Sequence, residues 1–171
     1  MPFHVLFLCT GNSARSILSE ATLNHYGVPR FAAYSGGSKP AGGVNPHALR
    51  QLESAGISTD GLYSKNFDLF AREDAPAFDA VITLCDSAQL DPCPVFLGDF
   101  VRSHWGLPDP VLFAGNPAQV AAEFAQTHSV IAARIRDLVA LPVETMSRED
   151  LARALARIAD AYPAPAPRVP A

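Results

Sequence analysis

The chain has 171 residues, of which 49% are hydrophobic and 18% charged, with a formal net charge of −4. That length suits one domain with a single substantial core. The acidic balance excludes a broad basic field for nucleic acid, and no Lys/Arg-rich run marks a membrane surface, so a bound anion must be held by a local pocket.

The N-terminus carries no signal-peptide pattern, and no apolar run is long enough to span a bilayer. Three cysteines at irregular spacing do not form a secreted disulfide framework. The expectation is a cytoplasmic protein whose cysteines begin as thiols, available for burial, metal binding or redox chemistry.

In chain order, "FHVLFL" (3–8) reads as a strand buried on both faces, stopped soon after Cys9 by Gly11-Asn12. A helix follows from Ser13 until Gly27-Val28-Pro29 ends it, and "RFAAYSGG" is a second strand. "NPHALRQLESAG" is a helix with Asn45 as cap, Pro46 in its first turn and a stop near Gly56. "FDAVITLC" is the clearest central strand, and "CPVFLGDF" is a weaker one. A long amphipathic helix is expected over 117–141, and a last helix is capped by Ser147 with Asp150 three residues on. Strands alternating with helices imply a three-layer α/β domain around a four-stranded parallel sheet. One domain is expected over 1–162, with a disordered Pro/Ala-rich tail at 163–171.

Anions bind outside the carboxyl ends of strands in such folds, and Cys9 stands at one such end. The loop Thr10-Gly11-Asn12-Ser13-Ala14 then leads into a helix begun by Arg15. Gly11 and Asn12 tolerate the angles that wrap several N–H groups around one point, and the helix terminus adds to the anion field. Arg15 offers a planar fork for two oxygens. The same surroundings favour a thiolate at Cys9, with Ser13 or Ser16 as hydrogen-bond donor. There is no HExxH, no paired CxxC and no His/Cys cluster, so no metal site is expected.

Group transfer to sulfur expels an oxygen that needs a proton. Asp109, held between Pro108 and Pro110, is a candidate acid, with a simple turn-forming aspartate as the alternative. His104 and Trp105 are read as shaping or covering the site, and His4 as facing the core or an adjacent strand. Cys85 ends the second buried strand and should emerge near Cys9, with Cys93 eight residues on across a polar segment. Core packing explains each cysteine singly. Together they allow Cys85 to attack a sulfur-bound product on Cys9, and Cys93 to attack Cys85 in turn. Disulfide geometry then requires the segment 86–93 to rearrange between reduced and oxidised forms.

The chain resembles the thioredoxin-coupled arsenate reductases, built on the low-molecular-weight protein tyrosine phosphatase fold. "VLFLCTGNSARS", "YSGG", "VNPHAL", "VITLCDSAQLDPCPVF" and "HWGLPDP" carry the resemblance, over roughly residues 3–141. The first motif is shared with the phosphatases, whereas the double-cysteine segment with "HWG" points to the reductases. The resemblance implies Cys9 as nucleophile, Arg15 as oxyanion clamp, Ser16 as support for the thiolate and Asp109 as general acid. Arsenate would form a Cys9–arsenic adduct. Cys85 would release arsenite by forming a disulfide with Cys9, and Cys93 would resolve it to Cys85–Cys93 for thioredoxin, a glutaredoxin or another small thiol. No bound cofactor is implied.

Ala14 stands where the phosphatases carry a cysteine, and Val111 where they place an aromatic after Asp-Pro. Some reductases bind potassium beside the loop. Asn12, Glu20 and Ser35 match such a site, but "SKN" at 64–66 lacks the expected carboxylate. Two other readings stand beside the reductase: a tyrosine phosphatase whose extra cysteines protect the nucleophile, and a non-enzymatic oxyanion sensor.

Overall fold

The computed structural model describes residues 1–85 and 96–166. Four parallel strands, β1 (Phe3–Cys9), β2 (Phe31–Gly37), β3 (Ala80–Thr83) and β4 (Val101–His104), form one sheet in the order β2-β1-β3-β4. The helices are α1 (Arg15–Gly27), α2 (Pro46–Ser54), α3 (Pro117–Val139) and α4 (Arg148–Ala161).

The unbroken apolar run of β1 follows from its central place, because a strand covered on both faces has no polar side to show. Its side chains alternate between two cores. Val5, Phe7 and Cys9 join the large cluster under the helices, which includes Leu18 of α1, Leu52 of α2, Ile135 of α3 and Leu155 of α4. Leu6 and Leu8 face a smaller cluster with Phe70, Phe78, Val81 and Phe96. Among the described residues, this second face is covered by the aromatic stretch around a short 3-10 turn at Phe67–Ala71.

Local capping sets most helix starts. The Asn45 carboxamide accepts from the His47 N–H, Asn116 and Gln119 form a reciprocal capping box, and Ser147 Oγ accepts from the Asp150 N–H. One element moves from its expected place. The fourth strand is Val101–His104 and not "CPVFLGDF", whose described part, Phe96–Phe100, runs as irregular chain. Apolarity in Phe96 and Phe100 serves the aromatic cluster, so their hydrophobic signal came from packing and not from strand pairing. The proposed rearrangement at 86–93, with Cys93 in it, lies outside the described residues.

His4 lies against the neighbouring strand, with Nδ1 3.1 Å from Tyr34 Oη and the two rings stacked. At the junction of three helices, Gln51 of α2 donates from Nε2 to His128 Nδ1 of α3 at 3.1 Å. The other ring nitrogen, Nε2, then carries the proton and donates to Thr22 Oγ1 of α1 at 2.9 Å. Burial, with Arg136 adding repulsion, pulls His128 down from its ordinary 6.5 to about 4. The unfolded chain therefore takes up a proton near pH 6.5 that the folded chain refuses until about pH 4. Stability from this residue is full above 6.5 and lost as pH falls through 4, a change of about 3 kcal/mol. Urea midpoints measured from pH 7 to 4.5 should fall more steeply for the wild type than for His128→Gln.

Candidate active site

β1 and β3 are neighbours, and their carboxyl ends bring two thiols to one place. Leu8 pairs with Thr83, and the Leu84 N–H donates to the Leu8 carbonyl at 2.9 Å, so Cys9 and Cys85 both follow just beyond the paired strands. Thr10 Oγ1 lies 3.3 Å from Cys85 Sγ. Both cysteines are buried.

Residues 10–14 curl above Cys9, and their carbonyls are held from outside. Thr10, Gly11 and Ser13 accept from the N–H groups of Lys39, Ala41 and Asn45, each at 2.9 Å. Ser64 Oγ also donates to the Gly11 carbonyl, and Ala14 O accepts from the Leu18 N–H inside α1. Ala14, the N-cap of α1, supplies no side-chain acceptor to the first turn. Loop carbonyls facing outward and an N-terminus without a side-chain cap leave N–H groups for an anion.

The strained position in this loop is Asn12, at φ 46°; Gly11 does not share it, contrary to the expectation for both. A Cβ at Gly11 would meet nothing nearer than 3.7 Å, whereas one at Gly37 would lie 2.5 Å from the Thr10 carbonyl oxygen. Gly37, the last residue of β2, is thus the glycine that the loop requires. Its only sequence signal was the Gly-Gly closing "YSGG".

Asn12 is fully buried, and its carboxamide joins four segments. Nδ2 donates to Ser16 Oγ at 2.8 Å and to Ser35 Oγ at 3.0 Å, while Oδ1 accepts from the Lys65 N–H at 2.8 Å. Ser16 Oγ is also 2.9 Å from Cys9 Sγ. That oxygen accepts from Asn12 and still has a proton and a second lone pair to set against the sulfur. The Asn12 N–H donates to the same sulfur at 3.2 Å.

Arg15 is 8% exposed and has two restraints. Nη1 donates to the Leu107 carbonyl at 2.9 Å, and Nη2 is 3.3 Å from Asp109 Oδ2. The other Asp109 oxygen accepts from the Val111 N–H at 3.0 Å and caps a short 3-10 turn, so Asp109 is both a turn residue and a pocket residue. A cavity of about 760 Å³ is lined by Thr10, Arg15, Cys85, Leu107 and Asp109 among others. Trp105, 2% exposed, donates from Nε1 to the Leu155 carbonyl and backs the site from the core. His104 sits one residue earlier, with Nδ1 2.7 Å from Thr83 Oγ1.

Lys65 was missed as a site residue. Its ammonium lies 2.9 Å from the Tyr63 carbonyl, 3.4 Å from Ser35 Oγ and 3.7 Å from Glu20 Oε1, over the Tyr63 ring. Burial raises the Glu20 carboxyl and lowers the Lys65 ammonium, while their mutual attraction opposes both shifts. Asn12, Glu20 and Ser35 do not fit a potassium ion here. The ammonium already stands against Glu20 and Ser35, and the Lys65 N–H uses the Asn12 oxygen. Among the described residues, no group of three or more His, Cys, Asp or Glu gathers as a metal site.

Residues 4–153 match the family model of the low molecular weight phosphotyrosine protein phosphatases. The chain belongs to that family. Its relatives include an arsenate reductase of Shouchella clausii, 34% identical over 132 residues that cover 77% of this chain and 91% of the relative. A solved arsenate reductase in its phosphate-binding state superposes with a TM-score of 0.62 at 27% identity, over 81% of this chain and 97% of that one. The thioredoxin-dependent arsenate reductase of Corynebacterium glutamicum gives 0.56 at 26% identity, over 80% of this chain and 60% of that one.

Within this family pocket, three outcomes follow from the network. Ser16→Ala should slow alkylation of Cys9 by iodoacetamide about tenfold or more, the worth of one hydrogen bond to a charged sulfur, as followed by peptide mass spectrometry. Melting temperatures in KCl and NaCl at equal ionic strength should coincide. Lys65→Met, which strands a buried Glu20, should cost about 3–5 kcal/mol by chemical denaturation.

Proposed function

We propose that this protein reduces arsenate to arsenite at Cys9. Arsenate enters the loop and is gripped by Arg15 and by N–H groups of the segment 10–14, while the N–H of Asn12 holds the Cys9 sulfur. The Cys9 sulfur attacks arsenic, and one oxygen leaves as water with a proton from Asp109. Cys85 then attacks Cys9 Sγ. The electron pair of the sulfur–arsenic bond passes to arsenic, arsenite departs, and a Cys9–Cys85 disulfide remains. Attack by Cys93 on Cys85 frees Cys9, and an external dithiol such as thioredoxin reduces the Cys85–Cys93 bond. Such a cycle belongs in the reducing cytoplasm.

The observation that carries this reading is the second thiol in the anion pocket. Cys85 Sγ touches the hydroxyl of the residue next to Cys9 and lines the same cavity as Arg15 and Asp109. Hydrolysis has no use for that sulfur, whereas electron delivery needs it. The arsenate reductases among its relatives, and the thioredoxin dependence of the Corynebacterium enzyme, point the same way. Phosphate-ester hydrolysis is the second reading, favoured by the family and by a pocket that suits phosphate and arsenate alike.

Arsenate-dependent NADPH oxidation with thioredoxin and its reductase should show repeated turnover for the wild type. Cys93→Ser should stop after about one equivalent of arsenite. A Cys93→Ser enzyme that cycles at the wild-type rate would falsify the relay, and turnover of para-nitrophenyl phosphate without arsenate reduction would select the phosphatase.

A further inference from the structure

The matched relative covers 132 residues of this chain, and the family model ends at residue 153. The C-terminal segment beyond that match is not spare chain. α4 packs against β4, and Trp105 Nε1 donates to the Leu155 carbonyl at 3.0 Å. Arg134 of α3, only 2% exposed, ties the end of this segment to the active-site wall. Its Nη1 donates to the Trp105 carbonyl at 2.7 Å, while Nε and Nη2 donate to the Tyr162 carbonyl at 3.0 and 2.7 Å. One guanidinium thus holds the exit of α4 beside the residue that precedes Gly106-Leu107-Pro108-Asp109. The chain leaving Tyr162 is Pro163-Ala164-Pro165-Ala166, and Ala164 and Pro165 line the same cavity as Arg15, Cys85 and Asp109.

This placement has a chemical consequence. Arg15 and Asp109 lie 3.3 Å apart and line one cavity, so a phosphate ester's leaving group, which takes its proton from Asp109, must occupy that cavity. A free oxyanion has no such group. Prolines fix φ and have no N–H, so this rim is stiff and gives an incoming peptide no donor at those positions. We propose that residues 163–166, positioned by Arg134, are a specificity element. They form a rim that admits free tetrahedral oxyanions and excludes esters carried on bulky groups, above all phosphotyrosine within a protein chain. The inference rests on the anion pocket and holds whether that pocket reduces or hydrolyses.

Truncation after Tyr162 keeps the Arg134 contacts and tests the rim directly. A second variant, Pro163→Gly with Pro165→Gly, loosens the rim at full length. Both should raise kcat/KM for a phosphotyrosine peptide at least tenfold, a change of about 1.4 kcal/mol in transition-state stabilisation, and leave arsenate turnover within twofold. The independent readout is labelling of Cys85 by iodoacetamide and by fluorescein maleimide, followed by peptide mass spectrometry. Truncation should speed the bulky reagent at least tenfold and the small one less than twofold. Unchanged bulky labelling overturns the rim even if the enzyme proves inactive on arsenate. Bulky labelling that rises in an enzyme without arsenate turnover keeps the rim and removes the reductase.

Discussion

A single buried carboxamide holds this active site together. Asn12 sits in the left-handed region, where its side chain turns back beneath the loop to meet Ser16, Ser35 and Lys65. Without those bonds the buried polar groups they join would have to be satisfied some other way, at roughly 1–3 kcal/mol for each one left unpaired. The strain at Asn12 is therefore tolerated because the surrounding contacts over-determine it. Through Ser16 the same carboxamide reaches the Cys9 sulfur. Structure and reactivity here share one set of hydrogen bonds.

Beneath Asn12 lies a pair of opposite charges. Glu20 and Lys65 are both nearly buried, and each would be costly without the other. Lys65 reaches the network with its backbone N–H as well as its ammonium, so one residue supplies both a hydrogen bond to Asn12 and a countercharge to Glu20. A tethered cation cannot diffuse away, and its position is set by covalent connection to the loop it supports.

The wall opposite the loop is organised by a second buried cation. Arg134 gathers the carbonyls of Trp105 and Tyr162, and Leu107, two residues after Trp105, accepts from Arg15. A continuous path of hydrogen bonds and short chain segments thus runs from the C-terminal helix to the Arg15 guanidinium. Burial pulls Arg134 down to about 10, so it stays charged at neutral pH and its bonds to carbonyls remain charge-assisted.

Much of this was legible in the chain. The run "HVLFLC" followed by "TGNSARS" names a buried strand, a loop and the start of a helix at Arg15, because apolar periodicity and turn chemistry are local properties. Helix caps at Asn45, Asn116 and Ser147 are local for the same reason. Other features depended on residues far apart in sequence. The fourth strand was misplaced because Phe96 and Phe100 are apolar for the sake of an aromatic cluster built by Phe67, Phe70 and Phe78. Lys65 stood out only as part of "SKN", a segment without the expected carboxylate, until folding brought Glu20 and Ser35 to it. Asp109 could be a turn or a pocket residue until Arg15 arrived beside it, and the tail could be spare until Arg134 fixed its exit. The sequence by itself determined most of the elements and the residue types at their ends, since those follow from neighbours a few residues apart. Only the tertiary structure decided which charges are paired and which segment walls the pocket, because pairing energy depends on burial and distance, and neither exists before the chain closes on itself.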